Sequence, residues 1–211
     1  MRQKKERMVC MPAKKHPYGD VVLVDEKDKV LGKREKLLAH RQGDLHRGYV
    51  VLLMDDKGVV LAKRAEGKHC WPGFWDGTVA SHSDANMKKD FATFDRDVKK
   101  RFRLEMDVQI TRVLPLVNFH YRAVCPRKSL VEHELCDFAI AQCDGVVKNP
   151  GNDEVSGVKH LPYDHFNDDF FHDFKTVTPW FLIGLALVRH NIGSSHDILR
   201  MLGIHKGVIH G

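Results

Sequence analysis

Cysteine is sparse and unpatterned in this 211-residue chain: Cys10, Cys70, Cys125, Cys136 and Cys143, with no CxxC pair. An odd number without such a pair argues against both a disulfide framework and a zinc ribbon. A reducing, cytoplasmic setting is therefore expected. Long apolar runs are missing too. The longest, PWFLIGLALV at 179–188, falls well short of a bilayer span and suits a buried helix. There is no internal repeat and no low-complexity linker. The opening MRQKKERMVCMPAKK is basic, but no long apolar region follows it. It reads as a mobile arm rather than a secretory signal, with a transit peptide as the alternative.

What is present has the composition of one globular domain. The expected division is a basic arm over 1–17, a folded domain over 18–190, and a tail over 191–211 carrying a short helix; a monomer is favoured. The formal net charge of +6 favours an anionic partner, a phosphate ligand or a nucleic acid, although a solvated basic surface carries the same signature. The fourteen histidines are more informative, because imidazole is a common metal ligand.

Hydrophobic periodicity outlines the elements. GDVVLVDEKDKVLGK reads as two short strands about a polar turn. KREKLLAHRQGDLH reads as a short helix ending near Gly43. GYVVLLMDDKGVVLAKRA is a hairpin turning at Asp-Asp-Lys-Gly. WPGFWDGTVASHSD, residues 71–84, is a loop running into a strand. NMKKDFATFDRDVKKRFRLEM is a helix with Met87, Phe91, Phe94, Val98 and Phe102 along one face. ITRVLPLVNFHYRAV and LVEHELCDFAIAQC are strand-like, and NPGNDEV is a turn. LPYDHFNDDFFHDF, TPWFLIGLALVRH and SSHDILRMLG read as helices. Hairpins with helices on their faces imply an α/β or α+β single domain.

Several residues carry chemistry. Glu105 continues the Phe/Val stripe of its helix, and a buried unpaired carboxylate is costly. It needs a cation, a proton, a metal, or a helix end that reaches water. Strand alternation sends Glu132 and Glu134 to one face with His133 opposite. Two such carboxylates fit a metal site, an acid/base pair or an exposed sheet edge, the last being the commonest meaning of a lone Glu-x-Glu. His40, His46 and His82 are each more often hydrogen-bonded surface histidines than ligands. With the two glutamates they would make an N3O2 set suited to Zn, Mn or Fe. Lys36, Arg64, Lys68 and Arg101 lie near these positions and are the residue types that hold phosphate oxygens, or simply a solvated basic face.

In order, the chain presents VDE, K..AH....LHR, RA..K..WPG.W, SH, a Glu ending a helix, FHYRA, EHE, NP...EV and TPWF, over positions 24–181. This ordered set resembles the type I isopentenyl-diphosphate isomerases, whose fold is the Nudix-type α/β/α sandwich with a mixed sheet. The resemblance implies that His40, His46, His82, Glu132 and Glu134 surround a divalent metal, Mn²⁺ or Zn²⁺. It implies that Glu105 helps to hold Mg²⁺ against a diphosphate, that Lys36, Arg64, Lys68 and Arg101 bind that diphosphate, and that Tyr121 and Trp180 are active-site aromatics. The implied partner is a small prenyl diphosphate rather than a nucleic acid, with isoprenoid biosynthesis as the setting. The implied chemistry is protonation of an alkene, by a carboxyl such as Glu134, to a tertiary carbocation.

One position departs from that pattern. Two residues before its histidine the family carries a catalytic cysteine, and here the residue is Ala80. The family's Thr-Asn step is also replaced, by Asp76-Gly77. Four accounts fit: a deliberate Cys-to-Ala isomerase; a divergent enzyme, such as a prenyl diphosphate cyclase begun by protonation; a Nudix hydrolase; or a prenyl diphosphate binding protein. The hydrolase account is weakened by KRFRLE, which keeps only Glu105 where hydrolases cluster carboxylates. In an extended segment Ser81 points away from the face shared by Ala80 and His82.

Overall fold

The computed structural model describes residues 19–83, 90–163, 175–192 and 197. The arm over 1–17, most of the helix expected over 161–174 and nearly all of that over 194–203 lie outside these residues. The chain opens with an antiparallel hairpin, β1 (Asp20–Val24) and β2 (Val30–Glu35). Helix α1 (Lys36–Gln42) starts where the Glu35 carboxylate accepts from the Leu37 and Leu38 amides, satisfying N–H groups that a helix start leaves unpaired. It stops at Gly43, whose φ of 69° is a left-handed cap that glycine adopts without penalty.

Strand β3 (His46–Asp55) is the spine of a nine-stranded mixed sheet. It turns at Asp55–Gly58 into β4 (Gly58–Arg64). The tryptophan-rich segment supplies two short strands, β5 (Trp75–Asp76), paired with β4, and β6 (Val79–His82), paired with β3. Helix α2 (Phe91–Met106) follows, capped by the Asp90 carboxylate on the Thr93 amide. Strands β7 (Arg112–Val124) and β8 (Val131–Gln142) form a long antiparallel pair, and β8 runs parallel to β3 over nearly its whole length. Strand β9 (Val155–Leu161) pairs with β4; its sequence, VSGVKHL, alternates too weakly to announce itself. Helix α3 (Pro179–Ile192) closes the fold.

Because β3 is buried on both faces, its alternation separates two cores. Val50, Leu52 and Met54 join Phe138, Ile140 and the α3 residues Phe181, Leu185 and Val188. Tyr49, Val51 and Leu53 join Val98, Phe102 and Met106 of α2. Among the described residues, α2 on one face and α3 with the short α1 on the other give the expected α/β/α sandwich. The α2 stripe holds at Val98, Phe102 and Glu105, all buried, but Phe91 is exposed at the helix start, ahead of the part of α2 that meets the sheet. Cys70, Cys125, Cys136 and Cys143 are all buried free thiols. No helix among the described residues is long and apolar enough to cross a membrane.

Candidate active site

Strand register assembles one site on the α3 face of the sheet. On β8, Glu132 and Glu134 point to the side of Cys136 and Phe138, while His133 points to the other, where its Nε2 meets His120 Nε2 at 2.8 Å. Parallel pairing sets His46 beside Glu134, and antiparallel pairing sets His82 beside Gly48. The buried face of α1 adds His40. Gly48 is required here: a Cβ at this position would collide with the Glu134 carboxylate. The spacing of the five residues in sequence, 40 to 134, becomes contact only through these pairings.

The three imidazole centroids lie 4.9–5.1 Å apart. One ligand atom from each of His40, His46, His82 and Glu132 falls within 4.8 Å of the others. Glu134 Oε1 is 3.6 Å from His46 Nε2 and 2.9 Å from His82 Nε2. Backbone carbonyls orient two of the rings: His40 Nδ1 donates to Lys36 O at 2.5 Å and His46 Nδ1 to Asp44 O at 2.8 Å. Such outer partners fix the tautomer and aim Nε2 inward. His46 Nε2 and His82 Nε2 are buried with no hydrogen-bond partner, the 2.9 Å approach of Glu134 being out of line for one. Buried polar atoms are rarely left so. An electron-pair acceptor between them, a divalent cation, would satisfy both.

The electrostatics agree with that donor set. Burial, then the nearby Lys36, pushes the His82 imidazole down to about 4, so it is neutral, as a ligand must be. Burial also opposes charge on His40, but Glu132, 2.8 Å from its Nε2, outweighs it and raises the imidazole above its ordinary value. Burial works against ionised Glu134 as well, yet the His46 and His82 imidazoles beside it hold it at about 2. Glu132 is likewise held well below the usual range, chiefly by His40 acting against burial. The Tyr121 hydroxyl donates to Glu134 Oε2 at 2.8 Å; burial and that carboxylate raise its own ionisation well above normal.

The cluster borders a cavity of about 680 Å³. Its lining combines the basic Lys36, Arg64 and Lys68 with the apolar and aromatic Leu37, Val50, Ala80, Leu130, Tyr121 and Trp180. Ala80 packs against the α3-side core, and Ser81, expected to point away, also borders the cavity. Burial, then Lys68, lowers the Lys36 ammonium. Lys68 is ion-paired with Glu154. Arg101 and Glu105 come from α2 on the far side of the sheet, 3.6 Å apart, and neither lines the cavity. Burial raises the Glu105 carboxyl, with Lys68 the largest opposing influence. Glu105 connects to the cavity through Asn152, whose amide donates to its carbonyl.

Sequence reasoning passed over Gly48, Asn152 and Glu154 as site residues, and saw Asp76 only as a departure. The NP...EV segment carried a signal for Asn152 and Glu154. Gly48 carried none, because its role depends on which strand lies beside it.

No family model matches the chain. An isopentenyl-diphosphate Delta-isomerase of Klebsiella pneumoniae (strain 342) is 32% identical over 163 residues, 76% of this chain and 82% of the relative. One from Klebsiella pneumoniae subsp. pneumoniae is 36% identical over 138 residues, 64% and 71% of the two chains. One from Salmonella paratyphi B is 34% identical over 169 residues, 76% and 83%. Among solved structures, a Deinococcus radiodurans protein superposes with a TM-score of 0.58 at 18% identity, covering 81% of this chain and 98% of its own. A MutT protein of Methanosarcina mazei does so at 0.52 and 10% identity, covering 69% and 94%. These structural likenesses establish the fold as the Nudix-type sandwich.

Proposed function

The chain belongs to the isopentenyl-diphosphate Delta-isomerase family, and from that premise we propose that it acts on a prenyl diphosphate by metal-assisted protonation of its alkene. The observation that carries the reading is the pair of buried, unpartnered Nε2 atoms of His46 and His82 facing Glu132 and Glu134 at the wall of a cavity that Lys36, Arg64 and Lys68 also line. His40, His46, His82, Glu132 and Glu134 would hold one Mn²⁺ or Zn²⁺. Lys36, Arg64 and Lys68 bind the diphosphate; Arg101 and Glu105, which do not line the cavity, would join them only by moving toward it, Glu105 then serving a Mg²⁺ that accompanies the substrate. When bound, the central cation supplies Lewis acidity, which makes a protonated carboxyl beside it a stronger acid.

The chain's own groups do the rest. Glu134, which favours its ionised form, would take up a proton and pass it to the alkene, and Tyr121, hydrogen-bonded to it, orients the carboxyl. Protonation at the terminal carbon leaves a tertiary carbocation. The face of Trp180 stabilises it by cation–π attraction, worth up to about 2 kcal/mol when desolvated. Apolar walls keep water from capturing it.

Ala80 favours a second reading within the same chemistry. Its methyl group can accept no proton, so the isomerase's second step needs water or Tyr121 in place of a thiol. A longer prenyl chain would instead quench the cation with its own internal double bond, a cyclisation. Hydrolysis suits the site less, since α2 keeps Glu105 alone of an acidic cluster.

The test supplies Mn²⁺ and Mg²⁺ in heavy water and offers isopentenyl, geranyl and farnesyl diphosphates and a nucleoside diphosphate in turn. Deuterium in a five-carbon product supports isomerisation, and a cyclic product from a longer chain supports the second reading. Release of inorganic phosphate or a nucleoside monophosphate without deuterium uptake would overturn both.

A further inference from the structure

Asp76-Gly77, the dipeptide that departs from the family's Thr-Asn step, belongs to no role described so far. Asp76 is buried on β5, opposite Ala62 of β4. Its Oδ2 accepts from Arg64 Nη1 at 2.9 Å. Its Oδ1 accepts from Thr178 Oγ1 at 2.8 Å, the Gly77 amide at 2.8 Å and Trp180 Nε1 at 2.9 Å, the last also lying 3.1 Å from Oδ2. Gly77 is part of the same device. A Cβ there would press on Val50 Cγ1 at 2.5 Å and crowd Val51 O at 3.3 Å.

The carboxylate is thus shared between the cation assigned to the diphosphate and the ring assigned to the carbocation. Those two assignments conflict. The Arg64 guanidinium lies 5.2 Å from the centroid of the Trp180 ring. An uncompensated positive charge at that distance would repel a second one developing on the same wall. Arg64 cannot swing away, since its Nε and Nη2 both donate to Cys70 O, at 3.1 and 2.8 Å. Three of its five donors are therefore committed within the protein, leaving two for a ligand. Asp76 supplies the missing negative charge. Burial favours its neutral form, but the side chains and amide bonded to it act as donors, so the ionised form is the one that fits.

We propose that Asp76 is a positioning residue whose carboxylate offsets the Arg64 charge beside the Trp180 ring, so that one wall of the cavity both holds a diphosphate and tolerates a carbocation. The proposal rests on the reaction read above. It predicts a split that a purely structural residue would not give. Removing the Asp76 charge should harm binding of a cation at the ring while leaving the diphosphate contact intact or slightly tighter.

The probes are a tertiary-ammonium diphosphate, whose nitrogen carries the charge of the carbocation, its neutral branched-alkyl isostere, and inorganic pyrophosphate with Mg²⁺, each titrated calorimetrically against the whole protein. The native protein should prefer the ammonium compound to the alkyl one. Asp76→Asn should lose on the order of tenfold of that preference, with pyrophosphate affinity unchanged or raised. Arg64→Gln should do the reverse, raising the ammonium preference and weakening pyrophosphate. An Asp76→Asn protein that keeps the preference, or loses affinity for all three ligands alike, would overturn the inference. If Asp76→Asn does not fold, an Arg64→Gln protein with no gain in ammonium preference overturns it. A native protein that binds pyrophosphate yet shows no ammonium preference would sink the carbocation reading itself.

Discussion

A single methyl group at position 48 tests the geometry of the site most directly. Gly48 sits mid-strand on β3, between β6 and β8, so its backbone cannot retreat. A Cβ there would overlap the carboxyl carbon and both oxygens of Glu134. In Gly48→Ala the carboxylate must rotate away. It then loses the 2.8 Å bond from Tyr121 and its approach to His82. A hydrogen bond to a charged group contributes about 1.5–3 kcal/mol, and overpacking of a close-fitted site costs about 1–3 kcal/mol. The two overlap, since moving the carboxylate relieves the clash, so a net loss of about 2 kcal/mol is expected. That corresponds to a melting temperature lower by roughly 4–8 °C for a domain of this size. Displacing the proposed acid should lower turnover at least ~100-fold. Glu134→Ala removes the group that clashes. In that background Gly48→Ala should be close to neutral, within about 0.5 kcal/mol. Calorimetric melting of the four proteins and a deuterium-incorporation assay read out the cycle. A Gly48→Ala protein with native melting temperature and turnover would refute the placement of Glu134 against β3.

Three further outcomes are expected. His46→Ala and Glu132→Ala should each lower tightly bound Mn²⁺ or Zn²⁺ measured by elemental analysis, while the exposed pair-forming His120→Ala leaves it unchanged. Metal affinity should rise with pH: His40 is raised above its ordinary value and holds a proton that the cation must displace. Chelator competition between pH 6 and 9 should show the affinity climbing up to the His40 pKa and levelling above it. Ala80→Cys should increase conversion of isopentenyl diphosphate, since a thiol at the cavity wall restores a proton acceptor; unchanged conversion would mean another group already does that work.

Much of the architecture was legible along the chain. Alternation in β3 and β8, the Asp-Asp-Lys-Gly turn and the Val98–Phe102–Glu105 face of α2 follow from periods of two and 3.6, which local sequence carries. Strand β9 was not legible, because a strand on the edge side of β4 with polar residues at intervals has no clear period. Phe91 misled because a helical stripe says which residues share a face, not how far along the helix its partner extends.

The ordered motifs by themselves determined the family, and with it a short roster of histidines, glutamates and basic residues. They also showed that position 80 offers no thiol. What no linear reading could decide is distance. The parallel register of β3 with β8 sets His46 against Glu134, the missing side chain of Gly48 leaves room for the Glu134 carboxylate, and α2, which carries Glu105, packs on the opposite face of the sheet from the cluster. The same holds for Asp76, whose meaning as a bridge between Arg64 and Trp180 depends on α3 packing over β5. Residue type and spacing are properties of the chain, but charge compensation and ligand convergence fall off with separation in space, and only the packed tertiary structure sets that separation.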